Sequence, residues 1–372
     1  MKLVCEKDMC TGCMACIDKC TKGAIHIEDS LKAYNAIIDP SKCVGCNLCY
    51  SVCQNNNSIN LSKPQEWYQG WSKDIKVRES SSSGGAATSI IKEFIEEYGT
   101  VCSCVFSHGE FVFQFVDNLD EADIFSGSKY VKSNPKGIYK VIKQKLANDE
   151  KVLFVGLPCQ VAAVKKYVGD KLERGLYTVD LICHGTPSPR FLKKFLSENG
   201  YDIRNIKSIQ FRNKNKFHLY EDYVGIEPDR VDDAYTYAFL NSINYTENCY
   251  KCRYATQDRV SDITLGDSWG SVLSTDDKEK GISLISCQST KGKELIKASE
   301  FNLIYVDVEN AIKNNEQLIH PSNMPKERAI FFEKYFRTCN FKKSVAKTFP
   351  KVYYKQIVKK ILIKMKLISG VQ

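Results

Sequence analysis

The chain has 372 residues, of which 43% are hydrophobic, and this length suits one small and one large domain. The formal net charge is +9, but residues 341–372 hold nine lysines and no acidic residue, so the first 340 residues are close to neutral. A near-neutral body excludes a nucleic-acid-binding protein that relies on a basic surface along the whole chain.

The cysteine content predicts metal or redox chemistry. The chain has 17 cysteines, its first residues lack the apolar region of a secretory signal, and no apolar run is long enough to span a membrane. In a reducing compartment, numerous cysteines serve metal or redox chemistry rather than disulfides. We therefore expect a cytoplasmic protein.

Two cysteine runs near the start share the spacing C-x-x-C-x-x-C-x-x-x-C. They contain Cys10, Cys13, Cys16 and Cys20, and then Cys43, Cys46, Cys49 and Cys53. This spacing is typical of bacterial ferredoxins with two [4Fe–4S] clusters, in which the fourth cysteine of each run binds the cluster of the other run. We therefore expect one cluster on Cys10, Cys13, Cys16 and Cys53, and a second on Cys43, Cys46, Cys49 and Cys20.

Other uses of these cysteines fit the spacing less well. Zinc sites favour separated C-x-x-C pairs over a duplicated eight-cysteine pattern, and disulfides need an oxidising compartment. Thr21 and Gln54 stand where such a run normally has proline, which is not a ligand. Cys5 is a ninth cysteine in this region, and we interpret it as a spare core thiol.

The fold class expected for the first part is an α+β ferredoxin-like domain over residues 1–62. Residues 24–27 and 36–39 predict short strands between the cysteine runs, and residues 58–61 repeat the first of them after the second run. Residues 63–79 then predict a linker on the surface.

The second predicted domain, residues 80–320, is larger. A helix is expected over residues 86–98, and buried strands over residues 151–155 and 176–183, since both are continuous apolar runs. The alternation of strands and helices predicts an α/β core with parallel strands, within a mixed sheet overall. Residues 321–372 predict a helical region with a basic tail.

Two segments rich in small and polar residues are candidates for anion binding. Residues 80–85 precede a helix, where glycines, hydroxyls and unpaired N–H groups can hold a phosphate. A Ser/Gly-rich linker is the alternative explanation. In the segment of residues 127–130, Lys129 would neutralise a phosphate or a reduced flavin, or simply lie in a turn.

Four cysteines beyond the first domain lie at strand ends and in loops. Cys159 follows a buried strand at a helix start, which predicts a depressed pKa and a role as ligand or nucleophile. Cys183 ends the next buried strand, and Cys249 and Cys252 form a C-x-x-C. A third metal site is one hypothesis for these four. Inert core cysteines, a dithiol and half a zinc site are the others.

Two further residues are candidates for catalysis. His184 lies beside Cys183 and would donate a proton or anchor a cofactor phosphate, or serve as a structural histidine. Asp267 follows a strand end and would shape a pocket or cap a turn. With Lys129 they form the candidate catalytic set.

The C-terminal segment of residues 351–368 alternates lysines with apolar residues and predicts a basic amphipathic helix. One hypothesis is peripheral contact with an anionic membrane. The other, which we favour from the sequence, is docking on the core of the protein itself.

Six short segments occur in an order that resembles the family of coenzyme F420-reducing hydrogenase/dehydrogenase beta subunits, here with a two-cluster ferredoxin domain in front. The segments are Ser82-Ser83-Gly84-Gly85, Gly127-Ser128-Lys129-Tyr130, Gly156-Leu157-Pro158-Cys159-Gln160, Cys183-His184-Gly185-Thr186-Pro187-Ser188, Cys249-x-x-Cys252 and Asp262-Ile263-Thr264-Leu265-Gly266-Asp267-Ser268-Trp269-Gly270. The resemblance covers residues 1–310. It implies FAD near residues 82–85 and 128–130. It also implies a third [4Fe–4S] cluster on Cys159, Cys183, Cys249 and Cys252.

The resulting functional hypothesis is an iron–sulfur flavoprotein oxidoreductase. FAD would pass electrons between the [4Fe–4S] clusters, or an external ferredoxin, and a small redox substrate such as coenzyme F420. The alternative is an electron-transfer subunit that docks on a partner enzyme and has no substrate site of its own.

Overall fold

The structure is a computed structural model that describes residues 2–368, so Met1 and the last four residues of the predicted tail lie outside the described residues. The N-terminal domain consists of β1 (Lys2–Leu3), α1 (Ala15–Lys19), β2 (Ile25–Asp29), β3 (Tyr34–Ile38) and α2 (Leu48–Val52). Its strands pair antiparallel in the order β1-β3-β2. Each helix contains the third cysteine of a run and ends at the fourth, so the duplication in sequence is also a duplication in structure.

The larger domain is built on one mixed sheet. The strands that follow the N-terminal domain are β4 (Glu66–Ser72), β5 (Thr100–Ser107), β6 (Glu110–Val116), β7 (Val152–Val155), β8 (Leu176–Leu181), β9 (Ile209–Asn213), β10 (Lys216–Glu221), β11 (Val224–Gly225), β12 (Ile263–Asp267), β13 (Ser283–Cys287) and β14 (Phe301–Tyr305). Eight of them form a sheet in the order β14-β4-β13-β12-β8-β7-β5-β6, and β9, β10 and β11 form a separate small sheet. The central strands β5, β7, β8 and β12 are parallel, and the outer strands pair antiparallel. The expected mixed α/β sheet is confirmed.

The helices cover and extend this sheet. They are α3 (Ile75–Ser80), α4 (Ala86–Tyr98), α5 (Ile138–Ala147), α6 (Pro158–Val168), α7 (Pro189–Glu198), α8 (Ala234–Leu240), α9 (Thr275–Lys280), α10 (Thr290–Ala298), α11 (Val308–Lys313), α12 (Glu327–Thr338), α13 (Phe341–Thr348) and α14 (Pro350–Lys364). Between residues 2 and 368, no helix has the length and apolar character needed to cross a membrane.

The expected linker over residues 63–79 is wrong, because this segment contributes a strand to the large sheet. β4 lies between β13 and β14 and pairs with both. Its Tyr68 and Gln69 are buried. The segment is short and far in sequence from both partners, so its strand character depends on pairing that a local pattern does not reveal.

The two domains share one apolar core. Residues of the cysteine runs pack in the same buried cluster as α5, α6 and β7. The Tyr139 hydroxyl donates to the Cys13 carbonyl at 2.6 Å, and the Gly137 N–H donates to the Asp18 carboxylate at 2.8 Å. The N-terminal domain is therefore fixed on the face of the sheet that carries α5 and α6.

Candidate iron–sulfur and cofactor sites

The eight N-terminal cysteines line two separate cavities. The middle cavity has a volume of about 310 Å³. It is lined by Cys10, Cys13, Cys16 and Cys53, together with Cys5. The outer cavity has a volume of about 620 Å³. It is lined by Cys20, Cys43, Cys46 and Cys49. Each cavity thus receives three cysteines of one run and the fourth of the other.

Positive backbone φ angles turn each run around its cavity. Gly12 and Gly45, which precede the second cysteine of each run, have φ near +74° and +71°. A side chain on Gly12 would also lie 2.8 Å from the Tyr34 ring. Met14 and Asn47, which follow the second cysteine, are left-handed as well. Reversing the chain at these points directs the first three thiols of a run toward one centre.

Thiols in the middle cavity ionise poorly without a cationic partner. Burial raises the pKa of Cys13 to about 11. Burial, together with Cys13 and Cys53 nearby, also raises the pKa of Cys16. Because metal ligation needs thiolates, a positively charged iron–sulfur core would supply the missing electrostatic compensation.

The four cysteines of the larger domain line a third cavity, the inner cavity, of about 780 Å³. Its cysteines are Cys159, Cys183, Cys249 and Cys252. Cys159 is the second residue of α6, Cys183 follows β8, and Cys249 lies in a short turn of 3₁₀ helix. The Thr186 N–H donates to the Cys249 sulfur at 3.4 Å, a contact that suits a thiolate. Segments far apart in sequence thus converge at one end of the parallel strands.

The predicted depressed pKa of Cys159 is wrong in direction. Burial raises the pKa of Cys159 well above its ordinary value, and Cys252 raises it further. Burial likewise raises the pKa of Cys183 to about 12. The favourable helix start is outweighed by loss of water and by neighbouring sulfurs, which suits a metal ligand better than a free nucleophile.

The three cavities follow one another in a line. Thr11 and Asn55 line both the inner and the middle cavity, and Val4 lines both the middle and the outer cavity. Within residues 2–368, no three Cys, His, Asp or Glu side chains come together as ligands of a single metal ion would.

The two segments expected near a flavin touch each other. The Ser128 N–H donates to the Ser82 hydroxyl at 2.9 Å. Gly84 lies so close to β4 that a side chain there would meet the Gly70 carbonyl at 2.4 Å, and Gly85 has φ near +90°. The Ser83 hydroxyl donates to the Ile282 carbonyl at 2.9 Å. These glycines therefore allow the loop to pack on the sheet, whatever else they bind.

Arg212 on β9 connects these segments, and sequence reasoning missed it. Its guanidinium donates to both carboxylate oxygens of Asp267, at 2.7 and 2.8 Å. It also donates to the Ser82 carbonyl at 2.6 Å and to the Tyr130 hydroxyl at 3.2 Å. The available signal was an arginine next to Ile209 and Phe211 in a candidate strand, but its partners lie far away in sequence.

The three candidate catalytic residues lie in three different environments. The Lys129 ammonium donates to the carbonyls of Phe125, Ser126 and Gly127 at 2.9–3.0 Å, which uses all three of its donors. Asp267 is paired with Arg212. His184 is exposed and lines the inner cavity beside Cys183. Of the three, only His184 presents a side chain free of such contacts, so it is the stronger candidate for proton transfer.

A duplicated ferredoxin-type domain fixed on a mixed α/β sheet defines an iron–sulfur electron-transfer protein. Residues 9–57 match the 4Fe-4S dicluster domain, and residues 149–310 match the family described as the C terminus of the coenzyme F420 hydrogenase/dehydrogenase beta subunit. Residues 149–310 of the chain are thus similar to this family of beta subunits, with a dicluster domain in front. The segments of residues 82–85 and 128–130 precede the matched region.

Proteins that resemble the chain include two curated relatives and one solved structure. The F subunit of F(420)H(2) dehydrogenase from Methanosarcina mazei is 22% identical over 294 residues, which cover 73% of this chain and 80% of that protein. Coenzyme F420-dependent sulfite reductase of Methanocaldococcus jannaschii is 25% identical over 322 residues, which cover 79% of this chain and 46% of that protein. The chain thus spans about half the length of the second relative.

The solved structure is a chain from the xenon-derivatised F420-reducing [NiFe] hydrogenase complex of Methanosarcina barkeri. It is 16% identical, with a TM-score of 0.50, and the match covers 76% of this chain and 96% of that one. This likeness concerns the fold alone. Together with the family matches, the relatives make the chain an iron–sulfur electron-transfer oxidoreductase related to the subunits of F420 hydrogenases and dehydrogenases.

Proposed function

We propose that the chain is an FAD- and [4Fe–4S]-dependent oxidoreductase. It would move electrons between a [4Fe–4S] cluster in its outer cavity and a small redox substrate. The observation that carries this proposal is the line of three four-cysteine cavities with shared walls. A [4Fe–4S] cluster carries single electrons, so neighbouring clusters would form a path through the molecule. The ligands would be the cysteines that line the inner, middle and outer cavities, except Cys5, which makes twelve.

The FAD proposal is supported by the surroundings of the Ser/Gly loop. The Ser81 hydroxyl is buried and has no hydrogen-bond partner among the described residues. The Lys214 ammonium donates to the carbonyls of Ser81 and Ser83 at 2.8 and 3.1 Å, and Arg212 lies beside Ser82. Lys214 also donates to the Arg78 carbonyl, so all three of its donors support the loop, and Arg212 is paired with Asp267. The unpaired Ser81 hydroxyl and the N–H groups at the start of α4 suit the pyrophosphate of a dinucleotide. When bound, FAD would couple two-electron chemistry to the single electrons of the clusters.

The small substrate that we favour is coenzyme F420, since both curated relatives are named for it. In this proposal His184 serves as the proton donor or acceptor, because its side chain is exposed on the inner cavity. Asp267 and Lys129, which the sequence hypothesis placed among the catalytic residues, have a positioning role in this proposal. Both position the loops that would surround the flavin, Asp267 through Arg212 and Lys129 through the carbonyls of residues 125–127.

A second candidate function is an electron-transfer subunit that serves a partner protein. One specific observation favours it: Cys46 is exposed at the outer cavity, and Val44, Leu48 and Tyr50 around it are 65%, 41% and 55% exposed. Exposed Lys2 and Lys22 line the same cavity as this apolar patch. Such a surface suits a small acidic one-electron carrier such as a ferredoxin.

Anaerobic reconstitution, followed by iron, sulfide and flavin counts, tests the cofactor proposal. We expect about twelve irons per chain, since each cubane holds four, and one flavin. A count of about eight irons per chain would contradict the proposed cluster in the inner cavity. A protein that binds no flavin would refute the FAD proposal.

Turnover assays separate the two functions. Reduction of coenzyme F420 by the isolated chain with an artificial donor supports the enzyme. A fully loaded protein that reduces no small acceptor until a partner enzyme is added supports the electron-transfer role instead.

A further inference from the structure

Helix α14 directs an apolar face away from the protein. Four residues spaced for one side of a helix are all more than half exposed. They are Tyr354 at 67%, Val358 at 54%, Ile361 at 51% and Met365 at 62%. An ordinary amphipathic helix on a globular protein turns such a face toward the core. The sequence hypothesis of docking on the core of the protein leaves this exposed face unexplained.

The opposite side of α14 attaches to the protein by polar contacts. The Gln356 side chain, which is buried, donates to the Asp232 carboxylate at 2.6 Å and accepts from the Asp232 N–H at 3.2 Å. The Lys359 ammonium donates to the Arg230 carbonyl at 2.7 Å. Lys360 forms an ion pair with Glu227. The helix is thus held in a fixed orientation with its apolar stripe outward.

The charge around the stripe has a single sign. Lys351, Lys355 and Lys364 are exposed on α14, and residues 341–372 contain no acidic residue. Two such faces from two copies of this chain would repel each other, which disfavours a symmetric dimer through α14. An anionic surface attracts the lysines while accepting the apolar residues.

We propose that α14 lies in the interfacial layer of an anionic lipid bilayer and attaches the protein to the membrane. Its 15 residues span about 22 Å, which is short of the about 30 Å hydrocarbon core, so the helix lies in the plane of the interface. Val358, Ile361 and Met365 would enter the acyl boundary. The lysine stems would extend to the lipid phosphates, and Tyr354 would lie at the headgroup level. This inference goes beyond the redox function and does not depend on it.

Co-sedimentation of the full-length, cofactor-loaded protein with lipid vesicles tests the proposal. We expect binding to vesicles of phosphatidylcholine mixed with phosphatidylserine and little binding to phosphatidylcholine alone. Val358→Asn/Ile361→Asn should lower the partition coefficient by about tenfold or more, since it removes apolar area from the interface. Lys351→Gln/Lys355→Gln/Lys364→Gln should lower it by a similar factor or more.

The matched control is Val224→Asn/Val272→Asn, which changes two exposed valines elsewhere, 61% and 86% exposed, and should leave vesicle binding unchanged. All variants alter exposed side chains, so an unchanged iron content and circular dichroism spectrum will verify the fold. The proposal is overturned if no vesicle binds, or if the control weakens binding as much as the α14 variants do. It is also overturned if the asparagines have no effect, or if they disrupt only a complex with a protein or a second copy.

Discussion

At the residue scale, Arg212 and Asp267 form a largely buried ion pair. The arginine side chain is 4% exposed and the aspartate side chain is 20% exposed. Removing one charge from such a pair leaves the other without compensation in a poorly solvated place. Asp267→Asn should therefore lower the free energy of unfolding by about 3 kcal/mol, measured by anaerobic urea denaturation. Asp202→Asn, which breaks the exposed pair with Arg204, is the matched control and should cause no measurable change. If the two variants change the free energy of unfolding equally, the buried Arg212 charge does not need Asp267 for compensation.

The middle cavity gives a second prediction at this scale. Cys53→Ala should lose about four irons per chain, because it removes one of the four expected ligands of a cubane. Cys5→Ala is the control, since Cys5 lines the same cavity but lies outside both runs. It should retain the full iron content. Loss of iron in Cys5→Ala with retention in Cys53→Ala would reverse the assignment.

The inner cavity allows the same comparison with a different control. Cys183→Ala should lose about four irons, while Cys287→Ala should lose none, because Cys287 is buried in β13 away from the cavity. Iron and sulfide analysis after anaerobic reconstitution measures both. Unchanged iron in Cys183→Ala would remove the third cluster from the proposal and leave the N-terminal pair.

The spacing of the cysteine runs allowed the crossed distribution over two cavities to be predicted at the residue scale, because each run is a local loop with a fixed geometry. Arg212 could not be predicted in the same way. Its contacts with Ser82, Tyr130 and Asp267 come from three distant segments, and each depends on the folded sheet. The predicted direction of the Cys159 pKa shift was wrong for a related reason, since burial is a property of the whole core.

At the scale of elements, β7 and β8 were predictable because continuous apolar runs of that length are buried strands. β4 was not, because its sequence Glu-Trp-Tyr-Gln-Gly-Trp-Ser follows a proline-containing segment and is not a continuous apolar run. Its strand is defined by pairing with β13 and β14, more than 200 residues later. Insertion of β4 also explains why the loop of residues 81–85 packs on the sheet, since Gly84 abuts Gly70.

The position of β4 between β13 and β14 makes Gly70 intolerant of a side chain. A Cβ atom there would lie 1.8 Å from the Asn302 carbonyl oxygen of β14, so the strand pair would have to separate. Gly70→Ala should lower the free energy of unfolding by about 2 kcal/mol or more, measured by thermal or chemical denaturation. Gly175→Ala, where the added atom meets the flexible Leu146 side chain at 3.0 Å, should cost clearly less. If Gly70→Ala is neutral, β4 is not fixed between its two partners.

At the scale of the whole molecule, the arrangement of the three cavities depends on how the N-terminal domain docks. The sequence predicted four-cysteine groups, but spacing carries no information on which group lies next to which. Docking is fixed by the shared core and by contacts such as Tyr139 to Cys13 and Tyr254 to Gln54. These contacts set the middle cavity between the other two, with the outer cavity at the surface.

This order predicts which reduced clusters interact magnetically. Two paramagnetic clusters in adjacent cavities should broaden each other's electron paramagnetic resonance signals, whereas clusters in the inner and outer cavities are separated by the middle one. Loss of the outer cluster in Cys46→Ala should therefore leave a coupled pair. Loss of the middle cluster in Cys16→Ala should leave two signals without mutual broadening, although both proteins keep about eight irons. Equal iron content makes each variant the control for the other. Persistent coupling in Cys16→Ala would place the inner and outer clusters in contact and contradict a linear path through the middle cavity.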